Sequence, residues 1–261
     1  MIQFNLNRFG KLAKWSLTND KRYYVKTFLQ VLVVLLLVFL FFTSVANTDD
    51  NRDSVYNSCS RVALLLLVLQ LVVGPSVMFY SMEGKHDRQS LMVLPASNFE
   101  KYVMRYSTWL IQLPFFVVAF FAADLMQYVY HLVLGHINGQ FVTAGIADVV
   151  SKTITKFSDP SQDMYSSIVI CVWMHSVFAL GATFFRSRKF NGVLSLAVII
   201  MIGILVIWLT PEHSALQYDH KSTTLSYVLG SVIYIGLVFL NFWLSYRLFC
   251  RQQVIGKFVN L

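Results

Sequence analysis

Charge is scarce in this chain. Asp, Glu, Lys and Arg make up 13% of its 261 residues, against about 25% in a soluble domain, which leaves no room for a large water-soluble fold. Cysteine is scarce as well. Cys59, Cys171 and Cys250 fall in separate regions, without the paired spacing of a metal site or a disulfide framework. Several catalytic signatures are missing. There is no G-x-x-x-x-G-K-[ST], so the chain has no P-loop of its own, and neither H-E-x-x-H nor G-x-S-x-G occurs. No low-complexity tract or soluble-domain repeat is present.

What is abundant is apolar sequence: 56% hydrophobic residues and a mean hydropathy of +0.59. A spanning helix needs about 20 mostly apolar residues. Six runs qualify, at 24–45, 62–80, 107–132, 165–185, 193–210 and 227–249. The first holds Phe28 to Phe42 with one polar residue, Gln30; at about −0.3 to −0.6 kcal/mol for each Leu, Val or Phe, that stretch favours insertion by roughly 5 kcal/mol. Ser44-Val45-Ala46 has the form of a signal-cleavage site. The charged leader before it and an apolar run longer than the usual 7–15 residues favour an uncleaved first helix. The expected fold is therefore an all-α membrane protein, a single transmembrane domain over 1–261 with six spans.

The net charge of +8 is distributed by side. With a cytoplasmic N-terminus, the inside segments hold Arg8, Lys11, Lys14, Lys21, Arg22, Lys26, Lys85, Arg88, Lys101, Arg105, Arg186, Arg188, Lys189, Arg247, Arg251 and Lys257. The outside keeps only Arg52, Arg61, Lys152, Lys156 and Lys221, together with acids such as Asp49, Asp50 and Asp53. This is the positive-inside pattern, and an even number of spans returns the C-terminus to the cytoplasm. Binding of nucleic acid is not expected, because no basic folded domain is available for it.

Residues 2–17 wind into an amphipathic helix, with Ile2, Leu6, Phe9, Leu12, Ala13 and Leu17 on one face and Arg8, Lys11 and Lys14 opposite. Such a helix lies at the membrane interface, its cations toward anionic headgroups. An acidic, Asn-rich loop is expected at 46–61. Gly74-Pro75 lies inside the second span and is expected to kink it, since proline removes a backbone hydrogen bond. In the outer segment 133–164, Ile146, Val149, Val150, Ile154 and Phe157 recur at helical spacing and predict a short helix. Pro211 stops the fifth span, and His213 and His220 beyond it read as solvated loop residues rather than metal ligands.

The internal segment 81–106 carries the functional argument. Arg88 to Leu94 is a short amphipathic stretch, Pro95 stops it, and Ser97-x-x-Glu100 is a capping box that starts a new helix. A short helix projecting on the basic side is placed to dock into a groove on a cytosolic partner. Met92-Val93-Leu94-Pro95-Ala96-Ser97 with Glu100-Lys101 resembles the L-x-L-P-x-S … E signature of ABC-2 type transporter permeases, where it lies between spans two and three. The resemblance covers the whole chain as topology and about 81–105 as residues. It implies a coupling helix in this segment, with Glu83, Arg88, Leu91, Met92 and Leu94 meeting a separate ABC ATP-binding subunit and Pro95, Ser97 and Glu100 setting the re-entry angle. It implies an exporter of the bacterial plasma (inner) membrane, working as a homodimer or with a paralogous permease, with membrane lipid around it. This chain would be no enzyme and bind no cofactor; ATP and Mg would sit in the partner subunit. The outer loop 211–226 is shorter than the re-entrant element many such permeases carry.

Polar groups within the spans are the remaining candidates. Asp124 costs about 2.5–3.5 kcal/mol at mid-bilayer and calls for a cavity, a partner or water. Gln127, Tyr128 and His131 continue its stripe, and His175, Tyr234 and Asn241 mark other spans. They read either as a translocation path or as interhelical hydrogen bonds. Asp124 and His131 stand two turns apart, about 10 Å along the axis, too far for direct proton transfer. A secondary carrier coupled to ions or protons, and an intramembrane enzyme built on these groups, are the alternative readings.

Overall fold

The computed structural model describes residues 4–46, 52–82, 85–134, 140–158, 162–185, 190–209 and 223–251. Among them there is no β-strand, and they are helical almost throughout. The helices are α1 (Leu6–Asn19), α2 (Lys21–Ala46), α3 (Arg52–Val73), α4 (Lys85–Val93), α5 (Asn98–Tyr106), α6 (Thr108–Val133), α7 (Val142–Ser158), α8 (Gln162–Phe184), α9 (Asn191–Leu209) and α10 (Thr223–Cys250). Six stretches are long and apolar enough to cross a membrane, supplied by α2, α3, α5 with α6, α8, α9 and α10. The chain is a multi-pass membrane protein.

The boundaries follow local chemistry with three departures. Where a kink within the second span is expected, at Gly74-Pro75, α3 ends instead at Val73 and a 3₁₀ turn, Gly74–Val77, follows. At the other end α3 begins at Arg52, so residues 52–61 of the anticipated loop are helical. Tertiary contacts carry the helix past its hydropathic limit: Tyr56 and Cys59 are buried, and Ser60 Oγ donates to Val142 O at 2.9 Å. The third span is not one helix. α5 closes at Ser107, whose hydroxyl donates back to Val103 O at 2.7 Å.

Residue contacts divide the chain into two compact units. The first comprises Met1–Ser16, Val72–Trp109 and Ser161–Leu261; the second comprises Leu17–Leu71 and Leu110–Pro160. In the first unit, α8 is central and packs against α9, α10 and the 3₁₀ turn. Its core holds Leu12, Met78, Phe79, Met82, Leu91, Tyr102 and Phe249. Gly181 is required where α8 meets α9: a Cβ there would collide with the Ser195 side chain. In the second unit, Leu35 and Phe39 of α2 pack against Phe116, Ala119, Phe120 and Ala123 of α6 and Cys59 and Ala63 of α3. Phe39 and Phe120 meet edge to face at 5.4 Å.

Large apolar side chains stand exposed on both units. Leu37, Phe41, Ile207 and Trp208 are examples, the last at 80%. In water such surface drives association; against lipid tails it costs nothing, and helices associate instead through close packing and hydrogen bonds.

Candidate functional site

The corner between α4 and α5 is built by opposed signals. After Val93 the chain turns, with Ala96 N donating to Leu94 O at 2.8 Å. Ser97 is extended and starts α5. Its hydroxyl accepts from Glu100 N at 3.2 Å, and Glu100 Oε2 accepts from Ser97 N at 2.8 Å. The anticipated capping box is thus complete. Lys101 reaches the other way: its ammonium donates to Met92 O at 2.8 Å, satisfying a carbonyl at the end of α4 that the helix leaves open. The corner is clamped from both sides.

Glu100 does more than cap its own helix. Its side chain is 0% exposed and receives Arg8 Nη2 on Oε1 at 2.6 Å, Arg8 Nε on Oε2 at 2.8 Å and Asn5 N on Oε1 at 2.8 Å. Asn5 in turn caps α1, its Oδ1 accepting from Asn7 N at 2.9 Å. One carboxylate therefore lies at the N-termini of two helices, where backbone dipoles favour negative charge, and closes a forked pair with arginine. The hydrogen bond to Glu100 raises the Arg8 guanidinium above its ordinary pKa.

The sequence candidates in this segment take different positions. Glu83 lies outside the described residues. Arg88 lies on α4. Leu91 is turned into the chain's own core at 2% exposure, and Leu94 packs against that core. Gln89, Ser90, Pro95 and above all Val93, at 83%, face outward. Among the side chains of α4 that are described, Gln89, Ser90 and Val93 face outward and Leu91 does not. α1 likewise packs through Phe9, Leu12 and Trp15, leaving Leu6 and Leu17 exposed.

The intramembrane candidates divide between the units. In the second, Asp124 is 2% exposed and spends both oxygens on the start of α7: Oδ1 accepts from Val142 N at 2.8 Å, Oδ2 from Thr143 N at 3.0 Å and from the Thr143 hydroxyl. It is an N-cap supplied from another helix. Tyr128 stacks on Phe141 at 4.3 Å. His131 Nε2 lies 2.7 Å from Thr43 Oγ1, which also stands 2.7 Å from Phe39 O. Gln127 is fully buried, and among the described residues neither its amide nitrogen nor its oxygen has a hydrogen-bond partner.

In the first unit the polar groups bridge helices. Tyr106 OH and His175 Nε2 are 2.6 Å apart, with Trp109 edge-on to the imidazole. Asn241 Nδ2 donates to Ser176 Oγ at 3.0 Å. Tyr102 OH donates to Ser245 Oγ at 3.0 Å, which Thr183 also reaches. Tyr234 meets Trp173 through ring contact.

Several participants escaped the sequence reading. Arg8 and Asn5 hold Glu100 from more than ninety residues away, and nothing distinguishes Arg8 from the other inside cations beforehand. Gln112 joins Gln70 to Tyr23. His213 and His220 lie outside the described residues. Among the described residues no group of three His, Cys, Asp or Glu side chains is placed to hold a metal. Against family models, curated proteins and solved structures, the chain finds no match.

Proposed function

We propose that this chain is the permease subunit of an ATP-driven ABC-2 type exporter in a bacterial plasma membrane, with both termini cytoplasmic. A separate ABC subunit binds ATP and Mg, and a second permease copy or a paralogue completes the path. The observation that supports this is the clamped corner. α4 turns Gln89, Ser90 and Val93 outward, while its inner side and its C-terminal end are tied to the body of the first unit through Leu91, Lys101 and the Ser97–Glu100 box. A push on the outer surface of α4 is not absorbed by a loose loop. It passes to α5, which leads into α6, and through Glu100 to α1. That is what a lever between an ATPase and a set of spans requires: ATP-driven closure of the partner displaces 81–97, and the spans exchange inward and outward access.

The rival reading, a carrier coupled to ions through Asp124, has less support, because each oxygen of that carboxylate is occupied by α7.

The test uses Val93. Val93→Asp sets a charge in the docking surface without entering the core and should weaken co-purification of the P-loop ATPase roughly 30-fold, with insertion and thermal unfolding unchanged. Undiminished recovery of the ATPase with V93D, or the absence of any P-loop ATPase with the native chain, overturns the reading. So does labelling of a Ser90→Cys variant from outside intact cells.

A further inference from the structure

α2 has two unlike faces. Tyr24, Leu35 and Phe39 are buried in the second unit. The opposite side carries an open groove of about 1070 Å³, with Lys21, Arg22 and Lys26 at one end and Leu29, Val33 and Val34 beyond. All six are exposed. We propose that this groove is a binding site for an anionic glycerophospholipid.

Depth is the first argument. From Thr27 to Ala46 the helix rises about 30 Å at ~1.5 Å per residue, the thickness of the hydrocarbon core. Lys26 therefore stands at its boundary, with Lys21 and Arg22 about one turn further out at the level of the phosphates. Gln30 lies one turn inside Lys26, roughly 6 Å deeper, where ester carbonyls accept hydrogen bonds. The aliphatic stripe then runs on at acyl-chain depth.

Charge is the second argument. α2 contains no acidic residue, and Asp20 beside it is buried away from the groove surface at 3% exposure. None of the salt bridges among the described residues involves Lys21, Arg22 or Lys26. Three cations converging on one headgroup position favour a lipid with net negative charge over a zwitterionic one. A second copy of the chain is a poor occupant: a two-fold contact through this face would set cations against the same cations. A soluble partner cannot reach Leu29 and Val33 at hydrocarbon depth. The inference is independent of the ATPase partner.

Native mass spectrometry of the full-length protein with equimolar phosphatidylglycerol and phosphatidylcholine tests it. Phosphatidylglycerol should be retained preferentially. Its retention should fall roughly five-fold for each cation removed, hence about 25-fold in R22Q/K26Q, with phosphatidylcholine unaffected. R61Q/K152Q removes the same charge from outside segments and should leave the preference intact. Equal retention of both lipids by the native chain overturns the proposal, as does an equal fall in R61Q/K152Q. Efficient disulfide cross-linking of V33C between copies in phosphatidylglycerol vesicles, above the parent chain, would assign the groove to a second copy instead.

Discussion

Glu100 and Asp124 are both buried carboxylates at the start of a helix, one in each unit. Glu100 begins its own helix, α5, and takes in Arg8 and Asn5 from α1. Asp124 sits within α6 and begins a helix eighteen residues downstream. Its hydrogen bonds among the described residues all go to α7, through two backbone amides and one hydroxyl. The first is an ion pair that locks three segments; the second is a single cap made by a side chain. The same chemistry yields a hub in one unit and an end-fitting in the other, and the number of segments each joins sets how far a change should spread.

The largest effect is expected at Glu100. Glu100→Ala leaves the Arg8 charge and two backbone donors without their acceptor, a loss of about 3 kcal/mol. It should lower the unfolding temperature in detergent and accelerate hydrogen exchange across both α1 and α5. Protection of α1 equal to that of the parent would show that the ion pair does not hold it. A smaller and more local effect is expected at Asp124. Asp124→Ala uncaps α7 at about 1–2 kcal/mol, so exchange should quicken at Val142 to Ile146 and stay unchanged in α5. Spread of the change into α5 would erase the contrast between the two carboxylates.

The smallest effect is expected at Gln127. Its amide has no hydrogen-bond partner among the described residues, so Gln127→Leu should be neutral or stabilising. Gln112→Leu should cost about 1 kcal/mol, because Gln112 bonds on both sides, to Gln70 and Tyr23. Thermal unfolding of the two variants side by side decides this. A Q127L variant less stable than Q112L would mean that the buried amide has a partner, such as an ordered water.

The parts of the fold that sequence anticipates are those whose causes are local. Span length follows from consecutive apolar residues. A disturbance at Gly74-Pro75 follows from a missing N–H, though the helix ends there instead of bending. The start of α5 follows from Ser97 and Glu100, three residues apart. The apolar spacing from Ile146 to Phe157 falls inside α7. Where hydropathy is the only guide it stops short, as at Arg52–Arg61, because burial of Tyr56 and Cys59 extends α3 through contacts distant in sequence.

The candidate residues were legible as positions and less so as roles. Asp124 stands out in the sequence for its cost in a membrane; that the cost is met by the amides of α7 depends on where α7 packs. Leu91 and Val93 are alike in composition and differ wholly in surroundings, one in the core and one outside. The sequence alone determined that this is an all-helical chain with six membrane-length segments and a capped corner between the second and third, because insertion and capping are decided within one or two turns. Only the tertiary structure decided that Arg8 closes on Glu100, that Asp124 serves α7 and that α2 keeps one cationic, aliphatic face open, because the partner of a buried charge and the face a helix hides are set by segments that meet only once the chain has folded.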